Sequence, residues 1–216
     1  MKLATVALVI IIIAGCNQSS SYKIAPWQAG QWVEYIVSPR SEATSPEGAA
    51  HIRYSIVGDH TADGVKYFWF ETYGKMDTSN FIFKLMVPER FAGQARRVII
   101  KIGTAPATEM PAELSDAPDE YQPPLYNETE ILKKKVKTEK VKTPAGVFRC
   151  IHSRMGDADV WLSSQIPIIG IVKYTSPNQE MTLTGFGPSG AQTRITELPQ
   201  RLDLNKIFPK QDSSGK

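Results

Sequence analysis

The chain has 216 residues, with 25 lysines and arginines against 22 aspartates and glutamates, for a formal net charge of +3. That surplus is far below the basic excess of a nucleic-acid binder, so no nucleic-acid partner is expected. A hydrophobic share of 42% and only two cysteines describe a chain that folds around an ordinary core and needs no disulfide framework.

Lys2 precedes an apolar run from Leu3 to Gly15. A bilayer-spanning helix needs about 20 apolar residues, and this run of 13 matches instead the core of a secretion signal. The run ends Ile13-Ala14-Gly15-Cys16, which resembles the bacterial lipobox: an aliphatic residue, two small residues and a cysteine. An ordinary signal peptide with an incidental cysteine is the plainer alternative. The resemblance implies cleavage after Gly15 and acylation of Cys16, and two or more acyl chains anchor a protein stably. Asn17 resembles the outer-membrane default of such proteins, so the expected location is the outer membrane, facing the periplasm. Residues 16–26 then read as a lipidated cysteine and a short polar tether. Lipidation of Cys16 would leave Cys150 as the last thiol, inside Val147-Phe148-Arg149-Cys150-Ile151, where a buried structural role is the commoner one.

From residue 27 to 200 the pattern is that of one β-rich domain: short runs of β-branched and aromatic residues, punctuated by Gly, Pro, Asn and Asp. Strands are predicted at Gln31–Val37, His51–Val57, Val65–Tyr73, Phe81–Val87 and Val98–Ile102. After a gap come Ile131–Thr143, Val147–His152, Ala158–Leu162, Ile171–Thr175, Glu180–Phe186 and Thr193–Glu197. Asp63-Gly64 predicts a two-residue hairpin turn, whose central residues need positive φ. Pro144-Ala145-Gly146 predicts a second turn, with Pro presetting φ. Two short helices are expected, at Pro88–Arg97 and Leu198–Ile207. Residues 104–124 hold five prolines, five acidic residues and no lysine or arginine, which predicts a long loop with little surface to bury. Residues 201–216 read as a polar tail.

Three features could carry function. Tyr67-Phe68-Trp69-Phe70 and Phe81-Ile82-Phe83-Lys84-Leu85-Met86-Val87 put large apolar groups on both faces of their strands, because successive side chains alternate. Such strands need cover on each side: a second sheet, a helix, or a cavity holding an apolar or acyl ligand. On the last reading Trp69, Phe83, Leu85 and Trp161 are the candidate lining residues; a densely packed core is the alternative. Second, Lys133, Lys134, Lys135, Lys137, Lys140 and Lys142 crowd one run. They suit either attraction to anionic headgroups or another polyanion, or an edge strand kept unpaired by its lysines. Third, His51, His60 and His152 lack metal-ligand spacing, and Cys150 with His152 would supply at most two ligands. No nucleophile elbow, phosphate loop or dinucleotide fingerprint stands out, so a non-catalytic protein without metal or cofactor is expected.

The blocks Gly30-Gln31-Trp32-Val33-Glu34-Tyr35, Thr143-Pro144-Ala145-Gly146-Val147-Phe148-Arg149-Cys150 and Trp161-Leu162-Ser163-Ser164-Gln165-Ile166-Pro167-Ile168-Ile169-Gly170-Ile171-Val172-Lys173 resemble those of uncharacterised envelope lipoproteins of LolA/LolB-like architecture. That resemblance implies a mainly β (α+β) fold: a curved antiparallel sheet or half-barrel with one or two short helices. It transfers no functional residue except the anchor cysteine. Two functions follow as expectations: a lipid-anchored protein holding an apolar ligand in a half-barrel, or an envelope assembly subunit that docks on a protein partner through its lysine-rich strand.

Overall fold

A computed structural model describes residues 23–40, 49–76, 79–89, 95–111 and 137–202. Twelve strands make one sheet, in the order β12-β6-β5-β4-β3-β2-β1-β11-β10-β9-β8-β7. They are β1 Trp32–Pro39, β2 Ala50–Ala62, β3 Val65–Met76, β4 Ser79–Pro88, β5 Arg97–Ile102 and β6 Thr108–Glu109; then β7 Lys137–Thr143, β8 Gly146–Met155, β9 Ala158–Leu162, β10 Ile171–Thr175, β11 Gln179–Gly187 and β12 Gln200–Arg201. All neighbours are antiparallel except β12 beside β6. The sheet is open, with β12 and β7 at its edges. It also bends enough for β7 to return into contact with β10 and β11.

Ten predicted strands have counterparts, because their β-branched and aromatic content suits a pleated surface. The Asp63-Gly64 turn has φ of 54° and 75° at its two residues, the pair of positive angles that matches the twist of a two-residue hairpin. Bulges lie at Ile56/Gly58 in β2 and opposite Glu34/Tyr35 in β1. Another, between Ile171 and Lys173, explains why Ile171 and Val172 are both buried: the extra residue switches the alternation.

Four expectations need correction. Among the described residues there is no α-helix. At the predicted Pro88–Arg97 helix, Pro88 ends β4 and Arg97 starts β5, with the Arg96 N–H bonded to the Met86 carbonyl; residues 90–94 lie outside the described set. In the Leu198–Ile207 helix, Gln200 and Arg201 instead form β12, and residues 203–207 are again outside. The chain at Thr193–Glu197 is irregular rather than extended in the sheet. Finally, the proline-rich stretch joins the fold at its start: Ala107 is buried, and Thr108–Glu109 pairs with β5. Proline removes a donor only at its own position, and Ala107, Thr108 and Glu109, which follow Pro106, keep theirs.

The sheet is covered on both sides where β3, β4 and β5 run. On the inner face Phe68, Phe70, Leu85, Val87 and Val98 join the main core. On the outer face Ile82 and Ile99 pack with Ala107 and Ile195. The cover over that outer face is neither sheet nor helix. It is an irregular strap, residues 191–199, held by buried Glu71, whose carboxylate accepts from the Thr193 hydroxyl at 2.7 Å and from the Arg194 N–H at 3.0 Å. Lys84 reaches Thr193 at 3.0 Å, and Lys101 pairs with Glu197. A charged group buried among apolar side chains needs such partners to offset its lost hydration.

Candidate functional site

The four candidate lining residues do not share one surface. Leu85 is 2% exposed and stands beside its cross-strand partner Phe70 on the inner face. Phe83 follows on the same face of β4, half-buried. Trp69 projects from the outer face, with Lys84 and Arg97 at 5.0 and 5.1 Å from its ring. Trp161 belongs to β9, five strands from β3 in the sheet order. Cys16 and the lysines at 133–135 lie outside the described residues.

The inner face itself is occupied. Residues 163–170, which join β9 to β10, fold across it and place Ile166, Ile168 and Ile169 in the main core. Trp27 arrives from the other direction and packs on β3, stacked on Phe70 at 5.6 Å and edge-on to Phe68 at 5.8 Å. Its indole N–H donates to the Ile168 carbonyl at 3.0 Å, and the Tyr35 hydroxyl donates to the Ile171 carbonyl at 2.9 Å. The first bond satisfies a carbonyl that a buried loop would otherwise leave without a partner, and the second ties the start of β10 to β1. The plug is held in an unusual turn: the Ile169 N–H bonds to the Pro167 carbonyl at 2.8 Å, with Ile168 between them at φ 68°. A β-branched residue in the left-handed region is a genuine outlier, and this γ-turn geometry is rare and strained.

Trp161 belongs to a polar cluster on the other half of the sheet. His152 is its cross-strand partner and lies flat on it, with ring centroids 4.5 Å apart and planes 12° apart. The His152 Nε2 is 2.8 Å from Asp159 Oδ1, and its Nδ1 is 3.5 Å from Glu139 Oε1. The Trp161 N–H donates to the same Glu139 carboxylate, and Lys173 pairs with Glu180 at 3.2 Å nearby. Cys150 sits beside this cluster but is fully buried, its thiol facing the Phe148 carbonyl at 3.7 Å. Burial, then the Glu139 charge, push its pKa up to about 12. A thiol held protonated and out of reach is a poor nucleophile. Among the described residues, no group of three or more His, Cys, Asp or Glu side chains is arranged to hold a metal ion.

The β7–β8 hairpin shows why the lysine run alternates poorly in sequence. Val141 and Phe148 are cross-strand partners on its covered face, where Phe148 meets Phe186 edge-on at 5.8 Å. The opposite face carries Lys140 beside Arg149 and Lys142 beside Val147, all four exposed. Arginines also gather at the other edge of the sheet, around an open depression of about 310 Å³ lined by Arg96, Arg97 and Arg201. There Arg97 grips Glu109 through two bonds of 2.7 and 2.9 Å, and Arg96 pairs with Asp63 at 2.8 Å.

Sequence reasoning missed the plug, the strap and the Glu71 cradle. The plug left one trace, the apolar run Ile166-Pro167-Ile168-Ile169, which reads locally as a bend. The strap left none, because Thr193 and Arg194 act through a hydroxyl and a backbone N–H.

No protein-family model matches the chain, and no curated protein matches it in sequence. Among solved structures, one similar chain is a Bacteroides fragilis protein taken to be exported, with a YmcC-like fold. It shares 10% identity over 77% of this chain and 99% of its own, at a TM-score of 0.35. Another, from Parabacteroides distasonis, is taken to be a lipoprotein; it shares 11% identity over 75% of this chain and 97% of its own, at a TM-score of 0.28. Likeness at this distance carries no argument about function.

Proposed function

We propose that this chain is a lipid-anchored protein of the bacterial envelope whose folded body works by binding, not by breaking bonds. One observation carries the reading: Ile13-Ala14-Gly15-Cys16 closes an apolar run of signal-peptide length behind Lys2. The proposed address is the outer membrane, with the body in the periplasm. Ile24 and Trp27 are already packed in the core, so the folded body begins a short way after Cys16. Only seven residues separate Cys16 from Ile24, so an extended tether would reach about 25–30 Å at most. The filled interior and the protonated, buried Cys150 favour an interaction module that works through its surface.

Metabolic labelling with a clickable palmitate analogue tests the reading. Label should enter the wild-type chain and be lost in Cys16→Ser, with the chain fractionating with outer membranes. A wild-type protein that is well expressed, exported and unlabelled would sink the proposal.

A second reading, an apolar or acyl ligand held against the inner face, is favoured by the strained turn at Ile168, since strain of this kind concentrates at switching and binding sites. It requires the Ile166–Gly170 plug to leave its place. Native mass spectrometry of protein purified from membranes would then show a bound lipid; a bare mass under the same conditions rules it out.

A further inference from the structure

We propose that the exposed face of the β7–β8 hairpin is a docking surface for anionic lipid headgroups, which presses the tethered body onto the bilayer in one orientation. The inference rests on the anchoring reading and adds a second, independent contact with the membrane.

Three observations place the surface. First, the face is uniformly basic: Lys140, Lys142 and Arg149 are exposed and make no ion pair among the described residues, while the hairpin's own acid, Glu139, alternates to the other face and is engaged by Trp161 and His152. Val147, 62% exposed, stands among the three cations, so charge and one apolar side chain are presented together, the combination that an interfacial surface uses.

Second, the hairpin projects. Ile151 pairs with Leu162, the last residue of β9, so Gly146–Cys150 run on past that strand with only β7 hydrogen-bonded to them. Phe148 on Phe186 holds the projection against the sheet, and its basic face therefore stays outward.

Third, it projects at the end of the sheet where the tether enters. Trp27 bonds to Ile168 in the loop that leaves β9 and starts β10, and β1 begins there, with Trp32 opposite Gly187. The acids of β2 and of the turn after it at this end, Asp59 and Asp63, are paired with Lys66 and Arg96, and Glu89 accepts the Trp27 N–H. Among the described residues, Asp59 and Asp63 at this end are thus already matched by cations. Each basic residue near an anionic surface adds about fivefold to partitioning.

The test uses the mature chain from Cys16 to Lys216, produced without acylation, and vesicle co-sedimentation. Vesicles of phosphatidylcholine containing phosphatidylglycerol should bind it, and vesicles of phosphatidylcholine alone should not. The triple variant Lys140→Gln/Lys142→Gln/Arg149→Gln should lose on the order of a hundredfold in partitioning, whereas Arg40→Gln/Lys75→Gln, exposed cations at the far end of the sheet, should bind as wild type does. Circular dichroism and unfolding midpoints of both variants confirm that folding is unchanged. Equal binding by the triple variant, or binding to heparin with none to anionic vesicles, would overturn the proposal. Because the unacylated chain is used, either outcome is separate from a failure of palmitate labelling at Cys16.

Discussion

The Trp27 indole donates to the backbone carbonyl of Ile168 across 141 positions of sequence, and this bond joins the entry of the domain to the plug over its inner face. Both residues are almost completely buried. Trp27→Phe keeps an aromatic ring on Phe70 but strands the carbonyl, which should cost about 1–3 kcal/mol. Trp27→Ala also removes the packing and should cost about 3–5 kcal/mol. Urea unfolding midpoints would rank the two; equal stability of wild type and Trp27→Phe would show that water replaces the bond.

Substitutions at Ile168 separate strain from packing. Ile168→Ala deletes buried methyl groups and keeps a side chain in the left-handed region. Ile168→Gly deletes more but frees the backbone at φ 68°. Glycine at ordinary φ is the less stable of the two by about 0.4–1 kcal/mol, so a reversal here is diagnostic. Ile168→Gly should be at least as stable as Ile168→Ala, by about 1 kcal/mol, in thermal or denaturant unfolding. The usual order, with alanine better, would mean that the turn relaxes without the isoleucine.

Glu71 is 2% exposed and holds the strap by accepting from Thr193 and Arg194. Glu71→Ala leaves those donors unpaired beneath the strap and should cost about 2–3 kcal/mol. The loss should be local first, with faster amide exchange at Arg194 and Ile195. Unchanged exchange there would move the hold to Lys101 and Glu197.

Cys150 predicts a pH dependence. Its folded pKa is raised from 9.0 to about 12, so the unfolded thiol ionises first as pH rises. Stability from this group is full below pH 9.0 and declines as pH climbs through the window up to about 12, because the unfolded state gives up its proton while the folded state keeps it. Iodoacetamide at pH 8 should spare Cys150 in the folded chain and alkylate it rapidly in urea. Fast alkylation of the native protein would contradict the buried, protonated thiol.

Much of the sheet is legible from local chemistry. Runs of β-branched and aromatic residues located β1 and β9, and Asp63-Gly64 located its turn, because each signal depends on residues that are neighbours in the chain. The doubly apolar stretches Tyr67–Phe70 and Phe81–Val87 correctly demanded cover on both faces. What provides that cover was not legible: the inner cover is a loop with no periodicity, and the outer one works through Glu71, a residue whose type suggests solvent. The two-residue strands β6 and β12 escape for a related reason. Pairing of Gln200 with Thr108 is settled by where the strap delivers the chain, and neither segment is long enough to show a period. The candidate lining residues were chosen for size and location in strands. Size marks burial well, as Leu85 shows, but does not say which face a side chain takes, and Trp69 and Leu85 are on opposite ones.

The position of β1 has a consequence for how the chain folds. Its first strand lies mid-sheet, between β2 and β11, and Tyr35 waits for Leu183 as a neighbour. Nearly the whole polypeptide must be available before that seam closes, and pairings this remote in sequence make folding slow. A nascent chain of this kind stays open until its last long strand emerges.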